Sequence, residues 1–185
     1  MSRLTGGSLS FNNKSIRDSW ETPQDLFDVL YNEFKFDVDV ACSEKNRKCS
    51  FGYHYDSLDK EWTGEPIGAK GRAWCNPPYS NVTPWVQKAI DETNYNPGSV
   101  VAMLLNHDAS TGWYKLALEH ASEIRIMTGK RVQFVPPDGV SVSSNSKGQC
   151  LIVFRKKQHS AQCNVWHWDW TADIERMKNE KEVTI

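Results

Sequence analysis

Two consecutive prolines, Pro77-Pro78, set the tightest limit on how this chain can fold. They follow the short apolar run Ala73-Trp74-Cys75 and a single asparagine, Asn76. Each proline removes a backbone donor and fixes φ, so a strand over residues 72–75 has to end there. The chain then leaves the sheet in a rigid, extended turn, with Asn76 and Tyr79 projecting from the strand's carboxyl end. That end is where open α/β sheets bind ligands. The corner offers an amide oxygen, a backbone carbonyl that no neighbouring proline N–H can occupy, and a flat aromatic face. Together these suit a planar group bearing an exocyclic amine. A proline-stiffened turn around a packed tyrosine is the plainer alternative, and the neighbouring segments have to decide.

Those segments alternate between helical and extended patterns. Residues 1–19 are polar and read as a mobile arm. Thr22-Pro23 then reads as an N-cap and first helical residue, followed by Leu26, Phe27, Leu30, Tyr31 and Phe34 at helical spacing. Phe36 to Ser43 reads as a strand that runs into small residues, carrying Asp37 and Asp39 among apolar neighbours. An edge strand with a solvated carboxylate face explains that stretch equally well. Phe51 to Tyr55 alternates weakly. Thr83-Pro84 starts a second helix with Trp85, Val86, Ala89 and Ile90 facing inward, and Ser99 to Leu105 is a continuous apolar run, the mark of a strand buried on both faces. A third helix, capped by Ser110 or Thr111, carries Trp113, Leu116 and Ala117. Ile124–Met127 and Val132–Val135 read as a hairpin around Thr128-Gly129-Lys130. Residues 136–149 form a polar loop of functional length. Cys150–Phe154 reads as a last strand. The tryptophans at 166, 168 and 170 alternate like a strand face, ahead of a short helix capped by Thr171 and a tail to residue 185.

Composition excludes several classes. With 22 basic and 23 acidic residues the net charge is −1, so nucleic-acid binding has to use a local patch. Five cysteines without a C-x-x-C pair argue for reduced thiols in the cytoplasm rather than a disulfide framework or a zinc cluster. No metal-ligand spacing, apolar leader or membrane-span window is present, so a soluble cytoplasmic protein is expected. No G-x-G-x-x-G marks a nicotinamide or flavin site.

Three stretches agree in order and spacing with one family: Trp20-Glu21-Thr22-Pro23 leading into a helix, Asp37-Val38-Asp39-Val40-Ala41-Cys42 after a phenylalanine, and Trp74 to Ser80 followed by the Trp85 helix. Val100–Leu105 and Gly129–Phe134 resemble its later parts. Over roughly residues 20–154 the chain resembles the S-adenosylmethionine-dependent amino-methyltransferases, and more narrowly the phage-type DNA N6-adenine methyltransferases (Dam-like). The resemblance implies a Rossmann-like methyltransferase fold with a mostly parallel sheet, an antiparallel edge hairpin and a shortened middle. It implies a methyltransferase domain over residues 20–170, S-adenosylmethionine as cofactor and double-stranded DNA as partner, in the host cytoplasm if the chain is phage-encoded.

By the same resemblance, Asn76 and the Pro77 carbonyl would accept both N–H bonds of a base amino group, Pro78 would stiffen the corner, and Tyr79 would stack on the base after it flips out of the helix. Thr22 and Pro23 would hold the methionine end of the cofactor and Asp39 would be its motif's acidic residue, with Trp20, Ala41, Asp56 and Asn76 completing the cofactor set. The motif departs from the family in having Ser43-Glu44-Lys45 where a glycine is usual. No separate target-recognition domain follows the corner, so short loops would have to read the DNA. Ser80, Lys130, Arg131 and Lys147 are the expected DNA contacts, although each of the three cations taken singly reads more readily as a solvated side chain. The corner alone also fits methylation of cytosine N4, an RNA base or a protein glutamine, and an inactive nucleic-acid-binding module is the reading from another class.

Overall fold

The longest continuous apolar run becomes the middle of the sheet. In a computed structural model describing residues 20–64, 71–136, 145–157 and 161–183, the elements in chain order are α1 (Gln24–Phe34), β1 (Val38–Asp39), β2 (Phe51–Gly52), a 3-10 turn (Ser57–Asp59), β3 (Arg72–Cys75), α2 (Thr83–Tyr95), β4 (Val100–Asn106), α3 (Gly112–His120), β5 (Glu123–Thr128), β6 (Gln149–Phe154), β7 (Asn164–Asp169) and α4 (Trp170–Val183). The arm expected over residues 1–19, most of the loop expected to be mobile (137–144) and the last two residues lie outside the described residues.

Seven strands form one sheet in the order β2-β1-β3-β4-β6-β5-β7. Every neighbouring pair is parallel except β4–β6 and β5–β6. β4 shows why its sequence is apolar throughout: Val101, Met103 and Leu105 face one core while Ala102 and Leu104 face the other. The first core packs α2 and α3 through Val86, Ala89, Ile90, Tyr114 and Ala117. The second packs α1 through Leu26, Phe27, Leu30 and Phe34, and α4 through Trp170 and Ile174. Each of those α1 side chains is 4% exposed or less, and burying one contributes roughly 1.5–3 kcal/mol before its entropy is subtracted. Among the described residues no helix is long and apolar enough to cross a membrane.

The α/β sandwich and the mostly parallel sheet agree with expectation, and β1 and β2, two residues each, are the shortened part. Antiparallel pairing is present, but inside the sheet rather than in an edge hairpin: β6 lies between β4 and β5. Residues 132–135 do not pair with β5. The segment lays Val132 and Phe134 into the core that α1 packs and leaves Gln133 and Val135 exposed. It ends in a two-bond bridge between Val135 and Glu21 (2.8 and 2.9 Å). Alternating burial reports that one face is covered and says nothing of the strand's partner. The tryptophan face at 166–170 becomes the parallel edge strand β7 and the first residue of α4.

Two expected caps also move. Pro23 occupies the N-cap position of α1, so Thr22 lies one residue outside the helix and makes no cap bond. At α4 the capping oxygen belongs to Asp169, whose Oδ1 accepts from Thr171 N (3.2 Å), Thr171 Oγ1 (2.7 Å) and Ala172 N (3.3 Å).

Candidate active site

Parallel strands bring distant segments to one edge, and here the carboxyl edge collects most of the polar groups singled out from the sequence. β3 pairs with β1 on one side and β4 on the other, with Trp74 opposite Asp39 and Cys75 opposite Met103. Asn76 therefore emerges at the centre of the edge. Its Nδ2 donates to the Trp20 carbonyl at 3.4 Å. With the amide nitrogen so engaged, Oδ1 is the atom turned to accept. Pro77 is buried and Pro78 half-buried, so the corner is stiff and packed. Tyr79 is held at both ends. Its hydroxyl donates to the Leu104 carbonyl at 3.1 Å, and its ring meets Phe134 edge-on at 6.1 Å. Burial, with the nearby Cys150 and Cys75 thiols adding, holds its phenol well above the usual range.

One strand away, Asp39 is 3% exposed, which removes the solvated-face alternative for this carboxylate. The loop after β1 wraps around it: Ala41 N donates to Oδ1 (3.2 Å) and Lys48 N to Oδ2 (3.0 Å). Gly52 lets that loop pass over β2, since a Cβ there would lie 2.5 Å from Cys42 Sγ. Burial pushes the Asp39 carboxyl up to about 6, and the two N–H bonds with the charges of Lys48 and His54 only partly offset it. Asp56 follows β2 with φ of 51° and an exposed side chain, at the same edge but outside the buried cluster.

Buried polar atoms normally find partners, so each exception calls for an explanation, a bound ligand or water among them, and several exceptions at one place point to a site. Among the described residues Trp20 Nε1, Thr22 Oγ1, His54 Nε2, Ser99 Oγ and Gln149 Oε1 have none. Four of the five lie at the carboxyl edge. Trp20 and Thr22 flank Glu21 beside Asn76, and His54 follows β2 near Asp39. Gln149 opens β6 opposite Asn106, to which its Nε2 donates at 2.9 Å.

Of the cofactor positions expected from the sequence, Trp20, Thr22, Pro23, Asp39, Ala41 and Asn76 gather around this cluster. Ser80, Lys130, Arg131 and Lys147 are all exposed on the turns of the same edge. Sequence reasoning missed Glu21, Lys48, His54, Phe134 and Gln149 as parts of the site. Two of them carry a signal, Glu21 by lying inside the Trp20–Pro23 stretch and Phe134 by its alternation with Val132, which suggests a hairpin partner that the structure does not supply.

Comparison with known proteins bears on the same residues. A family model described as DNA N-6-adenine-methyltransferase (Dam) matches residues 10–177. A DNA N-6-adenine-methyltransferase of Haemophilus phage HP1 (strain HP1c1) is 35% identical over 153 residues, covering 80% of this chain and 84% of that protein. The DNA N-6-adenine-methyltransferase of Escherichia phage T1 is 28% identical over 184 residues, covering 90% of this chain and 75% of that protein.

Proposed function

The chain belongs to the DNA N-6-adenine-methyltransferase (Dam) family and methylates adenine N6 in DNA; we propose that its methyl donor is S-adenosylmethionine, bound over the ends of β1 and β2, and that the Asn76–Tyr79 corner receives an adenine turned out of the duplex. The observation that carries this reading is the cluster of unpartnered atoms Trp20 Nε1, Thr22 Oγ1 and His54 Nε2 around Asp39 and Asn76. They offer hydrogen-bond donors toward a carboxylate and partners for ribose hydroxyls, and this donor set fits the cofactor.

When bound, S-adenosylmethionine supplies an already activated methyl on a sulfonium. The chain's own work is on the acceptor. The lone pair of an adenine amino nitrogen is delocalised into the ring, so the nitrogen is a poor nucleophile. Asn76 Oδ1 and the Pro77 carbonyl accept its two N–H bonds, favour the pyramidal nitrogen and stabilise its developing positive charge. By analogy with preorganised oxyanion-hole donors, one such group is worth roughly 3–4 kcal/mol. Tyr79, with its hydroxyl tied to Leu104 and its edge on Phe134, presents a fixed face on which a base stacks, worth about 1–3 kcal/mol. Pro78 holds the turn, and Ser80, Lys130, Arg131 and Lys147 face the phosphates from the surrounding rim.

The test is transfer of labelled methyl from S-adenosylmethionine to unmethylated duplex DNA, followed by nucleoside analysis. Label in N6-methyldeoxyadenosine is the expected result. Turnover that needs a different donor overturns the cofactor reading, and label in N4-methyldeoxycytidine keeps the amine-binding chemistry of the corner but overturns adenine as the base it receives.

A further inference from the structure

Lys48 sits between the two walls of this site, and the chemistry above makes no use of its side chain. Its backbone N–H donates to Asp39 Oδ2 at 3.0 Å, which closes the loop around the carboxylate. Its side chain, 6% exposed, runs the other way, ion-pairs with Glu21 and donates to Gln24 Oε1 at 3.0 Å. An ammonium is strongly hydrated, and burying one is costly unless it is paired and hydrogen-bonded. Here the buried ammonium joins two pieces that are far apart in sequence: the Asp39 loop and the Trp20–Pro23 segment. That segment is the one whose Trp20 Nε1 and Thr22 Oγ1 have no partner. Glu21 carries the connection further. Its backbone makes both bonds of the Val135 bridge, and the adjacent Phe134 meets the Tyr79 ring.

We propose that Lys48 is a positioning residue whose ion pair with Glu21 sets the Trp20–Pro23 wall against the Asp39 loop, so that the methyl-donor site is assembled before the donor arrives. This rests on the reading of S-adenosylmethionine as donor. A wall left loose has to be ordered by the incoming ligand, which weakens binding without changing the chemical step. The effect therefore falls on donor affinity. An ion pair that merely stabilises the fold would lower the melting temperature and leave the affinity of the folded protein unchanged.

The experiment is titration of S-adenosylhomocysteine into the 185-residue chain, followed by calorimetry, for the wild type and for Lys48→Met, Lys48→Arg, Glu21→Gln and the double variant. Lys48→Met and Glu21→Gln each weaken binding about tenfold and raise the KM for S-adenosylmethionine in step, with kcat at saturation within about threefold of wild type. The double variant binds no more weakly than either single one, because both remove the same contact, and Lys48→Arg recovers most of the loss. Affinity within about twofold of wild type in the single variants, or losses that simply add in the double one, overturns the proposal. Glu21→Gln keeps the side chain's shape and carries the same expectation should Lys48→Met fail to fold. Absence of binding by the wild type overturns the donor reading itself, and this proposal with it. Binding by the wild type with unaffected variants overturns this proposal alone.

Discussion

Arg125 and Asp39 are buried to nearly the same depth, 7% and 3% exposed, in opposite surroundings. Arg125 on β5 has a full set of partners. Nη1 donates to Glu33 (2.7 Å), Nε and Nη2 donate to Glu123 (2.8 and 3.3 Å), and the guanidinium lies over the rings of Phe34, Trp166 and Trp168 at 5.3–5.5 Å. Asp39 accepts two backbone N–H bonds, and the atoms gathered near it include several with no partner. A buried charge with an acceptor at every nitrogen ties elements together; in this case it ties α1 and β7 to β5. A buried charge among unmet hydrogen-bonding groups is a place prepared for a ligand. The contrast predicts that changes in the first region cost stability and changes in the second cost function.

The sharpest break comes at the corner. Asn76→Ala lowers kcat by about 10²–10³-fold or more, equivalent to roughly 3–4 kcal/mol of barrier, while the melting temperature stays near wild type. Normal turnover in this variant would sink the mechanism. Arg125→Met does the opposite. It removes the cation that Glu33 and Glu123 share and lowers stability in urea by about 2–3 kcal/mol, with activity per folded molecule unchanged. A kcat loss that exceeds the folded fraction would erase the distinction between the two regions.

The pH dependence separates them further. The folded state holds the Asp39 proton up to about pH 6, whereas the ordinary value for the group is 3.8. Folding therefore takes up a proton between about pH 4 and 6, and stability falls as pH rises through that window, by up to about 3 kcal/mol. Asp39→Asn removes that slope, which urea titrations at pH 4, 5, 6 and 7 would read. Parallel profiles for wild type and variant would mean that the carboxylate is not desolvated as the geometry requires. Thr22→Val has the smallest effect and the most telling sign. Replacing a buried, unpartnered hydroxyl by an isosteric methyl leaves stability unchanged or raises it by about 1 kcal/mol, while donor binding weakens. A loss of stability with donor affinity intact would return Thr22 to the fold.

Legibility followed the range of the cause. Pro77-Pro78 ends β3 at Cys75 as expected, and the apolar run at 99–105 becomes β4 within one residue, since a missing donor and two-sided burial act on the residues that carry them. The corner could be picked out because its prolines mark a local constraint, whereas Asp39 and the Trp20–Pro23 segment stand out through the family resemblance. Lys48 could not be picked out. A single lysine in a polar stretch looks the same in the sequence whether it is solvated or clasping a glutamate 27 residues away.

By itself, then, the sequence determined where elements stop, which faces are apolar, and that one strand end presents an amide, two prolines and an aromatic ring. These follow from sterics and periodicity, which act over a few residues. Only the tertiary structure decided that β6 enters the middle of the sheet, that Val135 bridges Glu21 while residues 132–135 do not pair with β5, that Thr22 faces inward without a partner, and that Arg125 is satisfied where the groups around Asp39 are not. Each of those depends on which distant segment lies alongside, and a strand edge or a buried polar atom carries no mark of its partner until the chain has closed around it.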